Sequence, residues 1–200
     1  QLILNYPNVD VNLSSSGEFS PLNIALSDGN NEIVQLLLQI PEIDKSFQLY
    51  KNELLCSCAK SGNIEIFQRL LSMPDIDINY SSYGLTPLFH AIDYNNIEIV
   101  KILLKYQNID FNYSITQQYY DISTNIQSSV LNFAILLNNI EIVQLLLNHP
   151  KINANIKYIT ETIDLKLNEL RSKEEMTPIQ LSIEKNHIEI LKLLLSSEKI

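Results

Sequence analysis

At 200 residues and 46% hydrophobic, the chain carries enough apolar material to fold, which argues against disorder. A net charge of −9 and a sequence pI near 4.8, with no local Lys/Arg cluster, make nucleic acid and anionic membrane surfaces poor partners. No apolar run approaches the roughly 18–20 residues of a membrane span, and no basic-then-apolar leader follows Gln1.

Along the chain one ten-residue stretch keeps returning. GNNEIVQLLL ends at Leu38, GNIEIFQRLL at Leu71, NNIEIVKILL at Leu104, NNIEIVQLLL at Leu147 and NHIEILKLLL at Leu195. Their glutamates, Glu32, Glu65, Glu98, Glu141 and Glu189, are separated by 33, 33, 43 and 48 residues. Two equal periods and two longer ones read as a repeat array with insertions of 10 and 15 residues in its third and fourth copies.

Each copy starts with a shorter helix, A. Ser20-Pro21, Thr86-Pro87 and Thr177-Pro178 pair a capping hydroxyl with a proline at the first helical position, where its missing N–H costs nothing. Copies two and four begin without the proline, at Glu53-Leu54 and Ser129-Val130. A small residue recurs at Ala25, Cys58, Ala91, Ala134 and Ser182, which implies another helix packed close. Helix A then stops at Gly29, Gly62, Asn95, Asn138 or Asn186, the residue types that best tolerate left-handed backbone. Asn30, Asn63, Asn96 and Asn139, with His187 in the last copy, stand where helix B needs its N-cap, and capping is the role expected of His187. Helix B is apolar around most of its circumference, so neighbouring repeats must cover it. Extended acidic segments such as Pro74-Asp75-Ile76-Asp77-Ile78-Asn79 follow, leading through projecting loops to the next helix A.

These residues resemble the ankyrin repeat family in five copies: G-x-T-P-L at Gly84 to Leu88, the Gly/Asn turn, the I-V-x-x-L-L-type helix B, and D-x-N before the loop. The resemblance implies an all-α solenoid of stacked antiparallel helix pairs with hairpin-like loops on one edge. The chain divides into a tail of a preceding repeat and loop (1–17), repeats at 18–50, 51–83, 84–126 and 127–174, and a truncated repeat at 175–200. It is expected to be an internal segment of a longer array whose end repeats fray. The family's signature histidine is Asn23, Cys56, Phe89, Asn132 and Gln180 here, so its side-chain network must differ.

No phosphate-binding glycine motif, nucleophile elbow, zincin or kinase signature is present. His90, His149 and His187 occupy three different registers, and Cys56-x-Cys58 lacks further ligands, so neither a metal, a cofactor nor catalysis is expected. His90 shares its register with Ile24, Phe133 and Leu181 and reads as a partly buried packing residue. Two cysteines pointing roughly 200° apart on one helix do not pair, and two free thiols fit a reducing, cytoplasmic setting.

The insertions carry the functional expectation. The first holds Tyr113, Tyr119 and Tyr120; the second places Ile163, Leu167 and Leu170 on one helical face. Nearby, the outward register of helix A reads Asp93-Tyr94 and Leu136-Leu137 where other copies are polar. The expected role is a non-catalytic, monomeric protein-interaction scaffold. Its partner, with a basic patch, would bind on the concave face and loop tips around Tyr83, Asp93, Tyr94, Tyr113, Tyr119, Tyr120, Leu136 and Leu137. Three alternatives stay open: insertions folded back over the leucines, an array serving as the recruiting arm of a larger enzyme such as a ligase or kinase, and a purely structural spacer in which no loop binds anything.

Overall fold

A computed structural model describes residues 10–14, 20–111, 113, 115–118, 124–164 and 169–199. Five helix pairs stack in chain order: α1 (Pro21–Ser27) with α2 (Asn31–Leu38), α4 (Lys51–Ser61) with α5 (Ile64–Leu71), α6 (Pro87–Asp93) with α7 (Ile97–Leu103), α8 (Val130–Leu136) with α9 (Ile140–Asn148), and α10 (Pro178–Glu184) with α11 (Ile188–Leu195). The extra helix, α3 (Asp44–Leu49), follows a 3-10 turn at Pro41–Ile43 and fills the place of the first projecting loop. Ile43 and Phe47, one helical turn apart and both buried, hold it down.

The turn between paired helices is left-handed in every repeat: φ is 67° at Gly29, 77° at Gly62, 56° at Asn95, 55° at Asn138 and 57° at Asn186. The small-residue register is buried throughout, at Ala25, Cys58, Ala91, Ala134 and Ser182, and this lets successive A helices approach. One apolar cluster runs through all five pairs, from Leu22 and Val34 to Ile190 and Leu194. The solenoid is therefore as expected.

Capping departs from expectation at three places. Ser20, Ser129 and Thr177 accept from the third residue of their A helices, and Asn30, Asn63 and Asn139 cap their B helices. Thr86, Asn96 and His187 make no such bond. Asn96 instead turns to the preceding repeat and donates Nδ2 to the Ala59 and Lys60 carbonyls at 2.8 and 2.9 Å, satisfying two orphans at the end of α4. His187 Nδ1 likewise lies 2.8 Å from the Ile135 carbonyl at the end of α8. The expected cap at His187 is thus an inter-repeat tie.

The insertions overturn a second expectation. They form strands β1 (Ile115–Gln118) and β2 (Thr124–Ser128) from the third repeat, and β3 (Tyr158–Asp164) and β4 (Glu169–Met176) from the fourth. All four join in one antiparallel sheet in sequence order, with β2 paired to β3 across the repeat boundary from Thr124↔Thr162 to Gln127↔Ile159. Ile163 and Leu170, assigned above to one helical face, are opposed across β3 and β4, and Leu167 lies outside the described residues. Tyr158-Ile159-Thr160-Glu161-Thr162-Ile163 is rich in β-branched and aromatic side chains, which suit a pleated surface, and β2 supplies a ready edge.

The missing signature histidine is replaced three ways. Twenty-four residues after that register lies the loop it must hold. Cys56 Sγ donates to the Tyr80 carbonyl at 3.7 Å, and Asn132 Nδ2 donates to the Ile156 carbonyl at 2.8 Å. Phe89 meets Tyr113 edge-on at 6.1 Å instead, and also packs on Phe133 at 5.4 Å.

Candidate partner-binding face

The A helices and loop tips share one side of the array, and Lys60 on α4 organises its first half. Its ammonium donates to Ser27 Oγ of the first repeat at 3.0 Å and stands 5.4 Å above the Tyr94 ring of the third. Beside it, burial pushes the Asp93 carboxyl above its ordinary value, and Lys60 opposes the shift.

Next to Lys60 opens a cavity of about 270 Å³, lined by side chains from three repeats: Ile24 and Asp28 of the first, Glu53, Cys56, Ser57, Lys60 and Tyr83 of the second, and His90 of the third. Its floor is polar but tightly arranged. Ser57 donates its hydroxyl to Asn23 Oδ1, and Cys56 is buried. Burial pushes the Cys56 thiol up to about 12, so it is no nucleophile. On the wall, Glu53 Oε1 accepts from the Tyr80 hydroxyl at 2.8 Å. His90 is held down to about 4 mainly by burial, against the Ser82 backbone, which favours its protonated ring. Its buried Nδ1 has no hydrogen-bond partner.

Tyr83 forms the rim. Ser82 and Leu85 exchange two backbone hydrogen bonds of 3.0 Å around Tyr83 and Gly84, whose φ values are 52° and 80°. Positive φ at both central residues is the demand of the tightest hairpin turn, and a bulky tyrosine meets it only under strain. Tyr83 is nonetheless 74% exposed.

Of the other expected contact residues, Tyr94 is 50% and Leu137 42% exposed, at the same register of adjacent repeats. Asp93 is exposed beside Tyr94. Tyr113 is half-buried: its ring packs on Phe89 and its hydroxyl donates to Ser81 Oγ at 3.1 Å, because Phe89 offers an edge where other repeats offer a polar group. Leu136 is half-buried against the core. Tyr119 and Tyr120 lie outside the described residues. Ile24, Glu53, Ser57, Lys60 and His90 were not singled out as contacts from sequence. Their signal is a register reading Ile24, Ser57, His90, Phe133, Leu181, which turns polar only in the second and third repeats. Among the described residues no group of three His, Cys, Asp or Glu side chains is placed to hold a metal, and no helix is long and apolar enough to cross a membrane.

The family model described as ankyrin repeats (3 copies) matches residues 1–81, 22–115, 54–158 and 112–200, overlapping windows that together cover the chain. The chain belongs to the ankyrin repeat family. None of the curated proteins matches it. Ankyrin repeats are in general protein–protein interaction modules, typically without catalysis, and the stacked pairs, left-handed turns and inter-repeat ties described above are how this ankyrin array builds its open face.

Proposed function

We propose that this ankyrin array is a non-catalytic scaffold, monomeric and cytoplasmic, whose concave face and loop tips receive a protein carrying a basic patch. The observation that carries the reading is the exposure of Tyr83, Tyr94 and Leu137 on consecutive repeats, with Asp93 beside Tyr94 and within the influence of the Lys60 charge. Aromatic and aliphatic side chains ringed by charge are the anatomy of a contact centre. The −9 net charge favours basic partners, and attraction to them weakens with salt. Two free buried thiols fit a reducing compartment.

The test is capture by immobilised wild-type chain against Tyr94→Ala with Leu137→Ser. Because both side chains are largely open, the double variant is expected to lose roughly tenfold or more in partner affinity at an unchanged circular dichroism melt. A lowered melt with intact capture would reassign both residues to packing.

A further inference from the structure

Eight of the described residues hold a left-handed φ, and seven of them are types that do so at little cost: Gly29, Gly62 and Gly84, the three asparagines of the helix turns, and Asp75. The eighth is Tyr83, at φ 52°. A β-carbon bearing a ring is strained in that conformation, and the asparagine that the chain uses at three such places would relieve it. Burial does not offset the cost. Whatever contacts Tyr83 makes within the chain leave it 74% exposed. Nor is it the product of a slack loop. Ser82 and Leu85 exchange both backbone hydrogen bonds at 3.0 Å, so the ring stands on a closed two-residue tip.

A bulky residue at the one left-handed position where nothing in the fold rewards it points outward, to a contact made beyond the chain. We propose that Tyr83 is the anchor of the scaffold, an aromatic side chain held on a strained tip so that it enters an apolar pocket of the partner protein. The proposal rests on the scaffold reading above and adds the shape its partner presents at this point, a concavity and not a flat face. Tyrosine suits the role because its ring carries a large apolar surface on only two side-chain torsions, so little freedom is lost when it is seated. The closed turn lowers the cost further by fixing the direction of the ring before binding. Asparagine on the same tip would give a more stable turn with nothing to insert.

Stability and affinity should therefore move in opposite directions. The protein retained by the immobilised wild-type chain, once identified and purified, is titrated into wild type, Tyr83→Asn and Tyr83→Phe. Tyr83→Asn relieves the backbone and removes the ring: its melt should rise by about 2–4 °C while its affinity falls roughly tenfold or more. Tyr83→Phe keeps both strain and ring, and should match wild type in melt and stay within about threefold in affinity. A Tyr83→Asn melt that is unchanged or lower would overturn the anchor, because a packing residue loses stability on removal and an unstrained one gains none. A higher melt with wild-type affinity, or a Tyr83→Phe affinity as weak as that of Tyr83→Asn, would overturn it as well. The scaffold is tested apart from it. Affinity lost in the Tyr94, Leu137 double variant but kept in Tyr83→Asn leaves the scaffold and removes the anchor; loss in neither, or no protein retained by wild type, removes the scaffold itself.

Discussion

Gly29 and Gly62 occupy the same left-handed turn but different surroundings. A Cβ on Gly29 would meet nothing within 4 Å, whereas one on Gly62 would lie 2.7 Å from Asn96 Oδ1. Gly29→Ala is expected to cost only the backbone term, about 1 kcal/mol. Gly62→Ala must also displace the amide that satisfies the Ala59 and Lys60 carbonyls, adding about 1–2 kcal/mol in urea titrations. Equal losses at the two glycines would mean that Asn96 contributes little. His90 makes a second prediction. The folded ring titrates at about 4 and an ordinary one at 6.5, so across that window the unfolded chain binds more protons. Stability present above pH 6.5 is therefore lost as pH falls towards 4, by up to roughly 3 kcal/mol. In His90→Phe, which copies the Phe133 register, this component should vanish from the pH dependence of the urea midpoint. An unchanged pH slope would assign the acid sensitivity to the carboxylates instead.

At the scale of elements, α3 rests on few side chains. Phe47 is buried, and Arg69 lies 3.9 Å over its ring while pairing with Asp44 at 2.6 Å. Phe47→Ala should cost about 3–5 kcal/mol, nearly all of it packing, since the ion pair is exposed. A urea midpoint close to wild type would show that α3 is ornamental. The same scale explains what was legible. The helix pairs were, because caps, glycine or asparagine turns and apolar periods are local and repeated five times. Strands β3 and β4 were not: Ile163, Leu167 and Leu170 match a helical spacing, and what decides for strand is β2, a neighbour some 35 residues away in another repeat. The packing of Tyr113 was hidden for a related reason, since its partner Phe89 replaces a polar group only in that copy. The cavity was invisible because Asp28, Glu53 and His90 come from three repeats and no linear motif unites them.

For the whole molecule, each repeat meets only its neighbours, so stability is a sum of unit and interface terms. The interfaces are unequal. Repeats three and four share helix packing and a strand pairing, and additionally Lys101 lies 3.3 Å from Glu141 across them. The last pair is less covered: Ile183 is 58% and Leu195 66% exposed, whereas their counterparts Ile135 and Leu147 are buried. Hydrogen exchange should therefore show α6 to α9 opening as one unit, with α10 and α11 opening earlier. Protection of Leu193 to Leu195 equal to that of Leu146 would refute this ordering.

The cross-repeat sheet also constrains how the chain can be shortened. Strand β3 is an inner strand only because β2 exists, and β2 belongs to the other insertion. Trimming the third repeat back to the 33-residue period would leave β3 with a row of open backbone donors and acceptors, a template for a second molecule. The two insertions are thus a matched set: removed together they leave a plain array, but removed singly they leave a sticky strand edge.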